Sequence, residues 1–444
     1  MVHAKIEKNI IYLLIASCIT NFSMFCINIV LINHLTKVDF GIFTLLLSIT
    51  YIFIVLSEFG VSQGTIKYIS EHHGLGNVEY IKAHIRNFFS ATVIISILFL
   101  LFFYISLPIW HKFYDYLPMG YATIFALIIF PYPVIRYWNA ITDGFQNMRY
   151  ALFFSIAREP VKLLLLLVTV YIFSLNIKSA ILVFVIASYL TLFGSYIIYR
   201  FFIFKMNIPF EIELDKKILF HKEKIKYFSY LYVSFLIFWI QPNVLYLIIG
   251  RFLNPEGVAA FTACFILNNI MWVFLLPVMD TLFPFISSVY KDRNVFDSSS
   301  NKIFFVLFFA ITISFIWVIL VYFFGERILG MFYGTTYAVH KNIFYVLSIS
   351  LFFDSLRVLF DPMLKGTRHA NILLYLELAR LISIIIFGPI SIKYGGLTYL
   401  CYLLVILSLM INLIKCLFLK RLFSINLLWG YLYIFFLFFV LFFL

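Results

Sequence analysis

Residues 31–76 read LINHLTKVDFGIFTLLLSITYIFIVLSEFGVSQGTIKYISEHHGLG. An apolar helix ends near Asn33 and is followed by a tight link, LTKVDFG. A second apolar helix runs from Phe40 to Gly64, and KYISEHHG forms a polar exit. The chain repeats this unit: an apolar span, a turn, a second span and a basic loop. At Leu253 the unit starts again in FLNPEGVAAFTACFILNNIMWVFLLPVMDTLFPFISSVYKD. A shift of 218 residues lays Leu35 on Leu253, Phe43-Thr44 on Phe261-Thr262, Ile52 on Ile270 and Val55 on Val273, which suggests an internal repeat.

The composition identifies the solvent. Of 444 residues, 64% are hydrophobic and only 12% are charged, with a mean hydropathy of +1.03. Soluble proteins carry about 25% charged residues, so this chain lacks the polar surface to cover a water-soluble globule and belongs in a bilayer. The apolar runs occupy 10–33, 40–64, 88–109, 119–142, 151–175, 179–203, 227–250, 257–289, 302–324, 342–363, 371–392, 396–418 and 426–444. Each is about the ~20 residues a crossing helix needs, and none alternates as barrel strands do. The first run continues to Asn33 without a small-residue cleavage site, so it reads as a retained helix and not a signal peptide. The five cysteines all lie in apolar runs without metal-ligand spacing, and read as small buried hydrophobes.

The formal charge of +13 follows topology and gives no reason to invoke nucleic acid. Lys37, Lys112, Lys178, Arg251, Arg327, Lys341 and Lys393 fall on one side, three lie within spans, and the other 23 of the 33 Lys and Arg residues fall in loops or at helix ends on the opposite side. The positive-inside rule then places the N-terminus in the cytosol. The basic inner face also attracts anionic membrane lipids.

The longest polar segment, Lys205–Lys226, reads as a cytosolic linker carrying an amphipathic piece. It divides the chain into a six-helix bundle over 1–204, the linker over 205–226, and a second six-helix bundle over 227–419. An additional membrane helix follows over 420–444. The expected fold is all-α and polytopic. The two bundles would be parallel repeats in a pseudo-two-fold arrangement around a central cavity.

Four stretches carry a family resemblance. DFGIFTLLLSITYIFIVLSEFGVSQG resembles the second helix of Wzx-type polysaccharide flippases, in the multidrug/oligosaccharidyl-lipid/polysaccharide exporter superfamily. ILNNIMWVFLLPVMDTLFPFISSVY resembles that family's eighth helix and GMFYGTTYAVHK its outer loop before helix ten. DPMLKGTRHANILLYLELARLI resembles its connection from helix ten to helix eleven. The resemblance implies a flippase that is not an enzyme. It would carry an undecaprenyl diphosphate-linked oligosaccharide from the inner to the outer leaflet of the bacterial cytoplasmic membrane, beside a polysaccharide polymerase and a chain-length regulator, in O-antigen or lipopolysaccharide synthesis. No cofactor or metal is implied.

A charge at a helix centre costs about 2.5–3.5 kcal/mol on insertion scales, so each one needs a reason. Arg136 follows the Pro131-Tyr132-Pro133 kink and has no carboxylate three or four residues away, which makes it the leading candidate for the diphosphate. Its alternative is snorkelling to the inner headgroups. Arg158 and Lys162, around Glu159, form either a positive-inside helix start or an entrance that gathers phosphate. Arg357 and Arg380 are further cavity candidates. Arg357 also lies one turn from Asp354 and from Asp361, and Arg380 lies three residues from Glu377, so both have intrahelical pairing available. Asn268 and Asn269 suit sugar hydroxyls or interhelical glue. Glu58 and Asp280, with Asp354, Asp361 and Glu377, are the acidic groups that coupling or structural pairing would use.

Other classes compete. A cation-coupled multidrug exporter would use those acids, and a lipid II flippase would require further C-terminal helices. An O-antigen polymerase or ligase would need a large outer loop, whereas the longest here spans Gly325–Lys341. A structural scaffold does not account for charge inside several helices. No G-x-x-x-x-G-K-[ST] nucleotide loop occurs.

Overall fold

A computed structural model describes residues 2–205, 222–289, 293–366 and 369–422. The additional helix expected over 426–444 and the core of the expected linker, 206–221, lie outside the described residues. Among the described residues the chain is all-α, without strands, and nine stretches are long and apolar enough to cross a membrane. One of them, Asn371–Leu419, is 49 residues long, enough for two crossings.

The chain divides into two compact units, Met1–Val258 and Ala259–Leu444. The division falls one helix beyond the linker, because the helix after the linker packs with the first unit. That unit comprises α1 (Val2–His34), α2 (Lys37–Glu58), α3 (Val61–Gly74), α4 (Val78–Phe113), α5 (Met119–Ala126), α6 (Pro131–Gly144), α7 (Met148–Phe173), α8 (Ile177–Lys205) and α9 (Lys222–Phe252). Here α1 packs on α7, α7 on α8, α3 on α6, and α9 on α2. Helix α10 (Pro255–Val289) begins at the end of this unit.

The second unit continues with α10 and adds α11 (Arg293–Tyr333), α12 (Thr335–Ala338), α13 (Lys341–Asp354), α14 (Arg357–Gly366) and α15 (Ala370–Leu422). Gly395 and Gly396 leave helical geometry, and Gly396 has φ +64°, so α15 serves as two helices. Phe352, Phe353, Leu359 and Phe360 pack with Ile311, Val318 and Leu419 in this unit's core.

Local chemistry explains the breaks that matter for the site. Thr36 caps α2 by accepting from Asp39 N at 3.1 Å. The expected single run 40–64 instead stops at Phe59 and Gly60, both left-handed, and resumes as α3 to Gly74. This places Glu58 at the end of α2. In the fourth span, a 3-10 turn at Leu127–Ile129 precedes Pro131, which opens α6 from its first turn, where a missing N–H costs nothing. The expected outer loop 325–341 is largely helical, since α11 extends to Tyr333 and α12 occupies Thr335–Ala338.

Candidate functional site

The N-terminal unit gathers its in-span charges around α6 and α7. Arg136 lies one turn beyond the Pro131 start of α6, and its Nη1 stands 3.3 Å from Glu58 Oε1 at the α2 break. A carboxylate therefore does reach Arg136, from another helix, at a distance in sequence that helical spacing does not reveal. Glu58 is buried, and its Oε2 has no hydrogen-bond partner among the described residues. One helix away on α7, Glu159 lies 3.1 Å from Arg158 Nε and 2.9 Å from Lys162 Nζ. Lys162 also donates to Tyr132 Oη at 3.3 Å and lies over the Phe184 ring at 4.9 Å. Glu159 and Lys162 are both buried, so the reading of this segment as an interfacial helix start gives way to a buried ion pair.

Aromatic rings join the two groups. Tyr51 on α2 meets Tyr132 edge-on at 6.5 Å and Trp239 of α9 at 6.0 Å. The Arg136 guanidinium carbon lies 5.8 Å from the Trp239 ring centre. Tyr51 is within electrostatic reach of Arg136, Arg158 and Glu58 together. Arg136 and Arg158 keep 30% and 31% of their side-chain surface exposed, while their carboxylate partners are nearly sealed at 2% and 6%. Arg136, Arg158 and Lys162 thus meet Glu58 and Glu159 here. Asp143, two turns along α6, feels Arg136 without reaching ion-pair distance. The cluster sets two part-exposed guanidiniums beside three aromatic rings inclined to one another, an arrangement suited to an anion carrying a ring system.

The C-terminal unit gathers the remaining expected residues into a different object. Asp354 ends α13 and Arg357 opens α14, so the two sit across a break rather than on one helix face. The expected Glu377–Arg380 pair is replaced by cross-helix partners. Arg380 forks onto Asp354 with bonds of 3.2 and 3.0 Å and also donates to Ser408 at 3.0 Å. Glu377 accepts from Arg357 at 3.0 Å and from Lys415 at 3.2 Å. Asp361 takes Arg357 at 3.4 Å, the expected i,i+4 pair, and Lys415 at 2.8 Å. Three cations meet three carboxylates, and Arg357, Arg380 and Lys415 retain only 12%, 9% and 0% of their side-chain surface. Neither arginine is open to an anion here, so the expectation of a diphosphate contact at Arg357 and Arg380 meets groups already neutralised.

Asn268 is likewise engaged as glue. It donates to Cys264 O at 3.1 Å and Phe344 O at 3.3 Å, and accepts from Trp317 Nε1 at 2.9 Å. Its neighbour Asn269 is half-buried and makes no hydrogen bond among the described residues. The side chain of Asp280 lies outside the described residues. Among the described residues, no cluster of His, Cys, Asp or Glu has the form of a metal site.

Sequence reasoning missed Tyr51, Tyr132, Trp239 and Lys415. For Lys415 a signal existed: three acids against two arginines in helices ten and eleven leave one carboxylate without a counter-charge. The aromatic wall had none in a chain with 56 Phe and 30 Tyr.

Known proteins share this architecture. An inward-facing multidrug resistance MATE family transporter of the MOP superfamily superposes with a TM-score of 0.74 at 16% identity, covering 94% of this chain and 95% of that one. A MOP superfamily transporter from Pyrococcus furiosus, described as having reverse polarity of its binding pocket, gives 0.65 at 17% identity, covering 98% and 96%. An outward-facing MATE structure gives 0.64 at 18% identity, covering 98% and 96%. A search of curated protein sequences returned no match. The family model described as polysaccharide biosynthesis protein matches residues 6–290, more than half of the chain. The chain therefore belongs to the polysaccharide biosynthesis protein family, built on the twelve-helix fold of MOP-superfamily transporters.

Proposed function

We propose that this chain is a flippase. It would move an undecaprenyl diphosphate-linked oligosaccharide from the inner to the outer leaflet of a bacterial cytoplasmic membrane by alternating access, with the N-terminus in the cytosol. The flipped unit would pass to a polysaccharide polymerase acting with a chain-length regulator. The observation that carries this reading is the pair of part-exposed guanidiniums, Arg136 and Arg158, beside Tyr51, Tyr132 and Trp239. A diphosphate suits the two forks, and the apolar faces of sugar rings suit the aromatic rings beside them. Membership of the polysaccharide biosynthesis family supports a lipid-linked sugar as cargo. Outward movement of an anion is favoured by an inside-negative potential, by about 2.3 kcal/mol per charge per 100 mV.

The diphosphate role falls here to Arg136 and Arg158, with Lys162 behind them. A second reading, cation-coupled drug export, is favoured by the free Oε2 of buried Glu58 and by the multidrug exporters that share the fold.

The test is Arg136→Ala and Arg136→Lys, scored by surface polysaccharide in cells at matched protein level. Loss of most polysaccharide in Ala and partial retention in Lys is expected, because Lys keeps the charge but not the fork. Since Arg136→Ala leaves Glu58 buried without its counter-charge, the double variant Arg136→Gln/Glu58→Gln is the control. It removes both charges and restores packing, yet polysaccharide should stay low. Full recovery in the double variant would make the pair structural, and undiminished polysaccharide in Arg136→Ala would remove Arg136 from the mechanism. Resistance to cationic drugs that requires Glu58 would favour the exporter.

A further inference from the structure

A second cationic surface lies away from the proposed cargo site, where the C-terminal turns of α4 and α9 meet. Pro108, Ile109, Lys112, Phe113 and Arg251 line an open groove of about 520 Å³, within the ~300–1,000 Å³ range of small-ligand clefts. Arg251 Nη1 donates to Phe113 O at 2.9 Å, and its guanidinium carbon stands 6.0 Å from the Phe113 ring centre. The side chain is thus held in place with its other N–H groups left for a ligand. Lys112 makes no ion pair among the described residues, nor does Arg251, although Asp115 is only three residues past Lys112. The negative helix ends favour cations at such positions. That accounts for the two charges but not for the surface that leads up to them.

Leu98, Phe102, Ile105 and Ile109 recur every three or four residues on α4 and are all exposed, Ile105 by 74%. The same face continues to Lys112 and Phe113. From Leu98 to Lys112 is fourteen residues, about 21 Å of helix, enough to cover half of a ~30 Å hydrocarbon core. An apolar stripe as deep as one leaflet therefore ends at two uncompensated cations. Seven long-chain basic residues were read on this side of the membrane against 23 on the other, so the topology places the groove in the outer leaflet.

We propose that this groove is a binding site for an anionic phospholipid, its phosphate held between Lys112 and Arg251 and its acyl chains laid along the α4 stripe. A free phosphate would engage the cations and leave the stripe unused. A zwitterionic lipid would cover the stripe without a net charge to match the pair. The site shares no residue with the proposed cargo site and stands independently of it.

The test uses the full chain in nanodiscs of mixed phosphatidylcholine and phosphatidylglycerol, followed by mild delipidation and native mass spectrometry of the retained lipid. Phosphatidylglycerol should be retained preferentially, by roughly fivefold for each cation and roughly 30-fold for the two together. Lys112→Ala should lose about one such factor. It breaks no hydrogen bond within the described structure, so it remains readable if Arg251→Ala, which loses the bond to Phe113 O, fails to fold. Equal retention of the two lipids, unchanged preference in Lys112→Ala, displacement of the lipid by inorganic phosphate, or stronger retention of a polyprenyl diphosphate would each overturn the proposal.

Discussion

The N-terminal and C-terminal units both bury arginine, lysine and carboxylate in apolar bundles, but they complete the arrangement differently. Around α6 and α7, Arg136, Arg158 and Lys162 contact Glu58 and Glu159, and the two arginines keep about a third of their side-chain surface open. Around α13, α14 and α15, three cations contact three carboxylates, and nothing charged keeps more than a seventh of its surface. Charge taken out of water is tolerated only when paired and hydrogen-bonded. In the C-terminal cluster every charge has a partner of opposite sign and all are nearly sealed from solvent. The N-terminal cluster keeps about a third of the Arg136 and Arg158 side chains exposed beside aromatic rings, the opening that the proposed anion would use. The same residue types thus weld three helices in one unit and stay part-exposed in the other, where the proposed cargo contact lies.

The sharpest way to break this comparison is Lys415→Ala. Lys415 is fully buried and supplies the third cation, so its loss takes a counter-charge from both Asp361 and Glu377. Breaking a buried pair by removing one partner costs about 3–5 kcal/mol. Because Lys415 pairs with both Asp361 and Glu377 at full burial, the expected outcome is a large fall in thermal midpoint and in membrane abundance, read by fluorescence-detected size exclusion. Lys415→Met combined with Asp361→Asn removes a charge of each sign and should recover most of the loss. A Lys415→Ala protein that is stable but inactive would show that the C-terminal cluster faces cargo after all.

Trp239→Ala tests the opposite corner with a smaller effect. Trp239 stands beside Tyr51 and Arg136 and is only half-buried, so its removal takes away ring surface more than packing. Aromatic contact of this kind is worth about 0.5–1.5 kcal/mol beyond area burial. Polysaccharide output should fall severalfold while the thermal midpoint stays near that of the parent, and Trp239→Phe should restore most of the output. Unchanged output in Trp239→Ala would remove the aromatic wall from cargo binding.

Much of the fold could be read from the amino acids, because a bilayer allows so few solutions: long apolar runs, internal backbone bonding and basic loops on one side. The breaks were less legible. Gly60 is an ordinary place for a helix to stop, but the left-handed turn begins at Phe59, a residue that gives no such warning. The charged residues themselves stood out at once, since each is expensive in a span. Their partners did not. Helical spacing proposes neighbours within a straight helix, whereas Glu58 reaches Arg136 across helices and Lys415 reaches Asp361 across 54 residues. Which cations stay open depends on that tertiary pairing, so the distinction between sealed and part-exposed clusters appears only once the helices are packed.

The smallest change that still separates the two clusters is Tyr132→Phe. Its hydroxyl accepts from Lys162 at 3.3 Å, a long contact, while Lys162 keeps Glu159 at 2.9 Å and the face of Phe184. Removing one such bond costs about 0.5–1.5 kcal/mol at most, and the length of this one places it at the lower end. The ring itself, and its edge-on contact with Tyr51, survive the substitution. Stability should therefore be unmoved, and polysaccharide output should drop by less than in Trp239→Ala. An effect on output as large as that of Arg136→Ala, with the thermal midpoint unchanged, would move the Tyr132 hydroxyl from the scaffold of Lys162 into direct contact with cargo. The receptor would then extend inward along α6 to the buried Glu159–Lys162 pair, and the exposed guanidiniums would mark only its mouth.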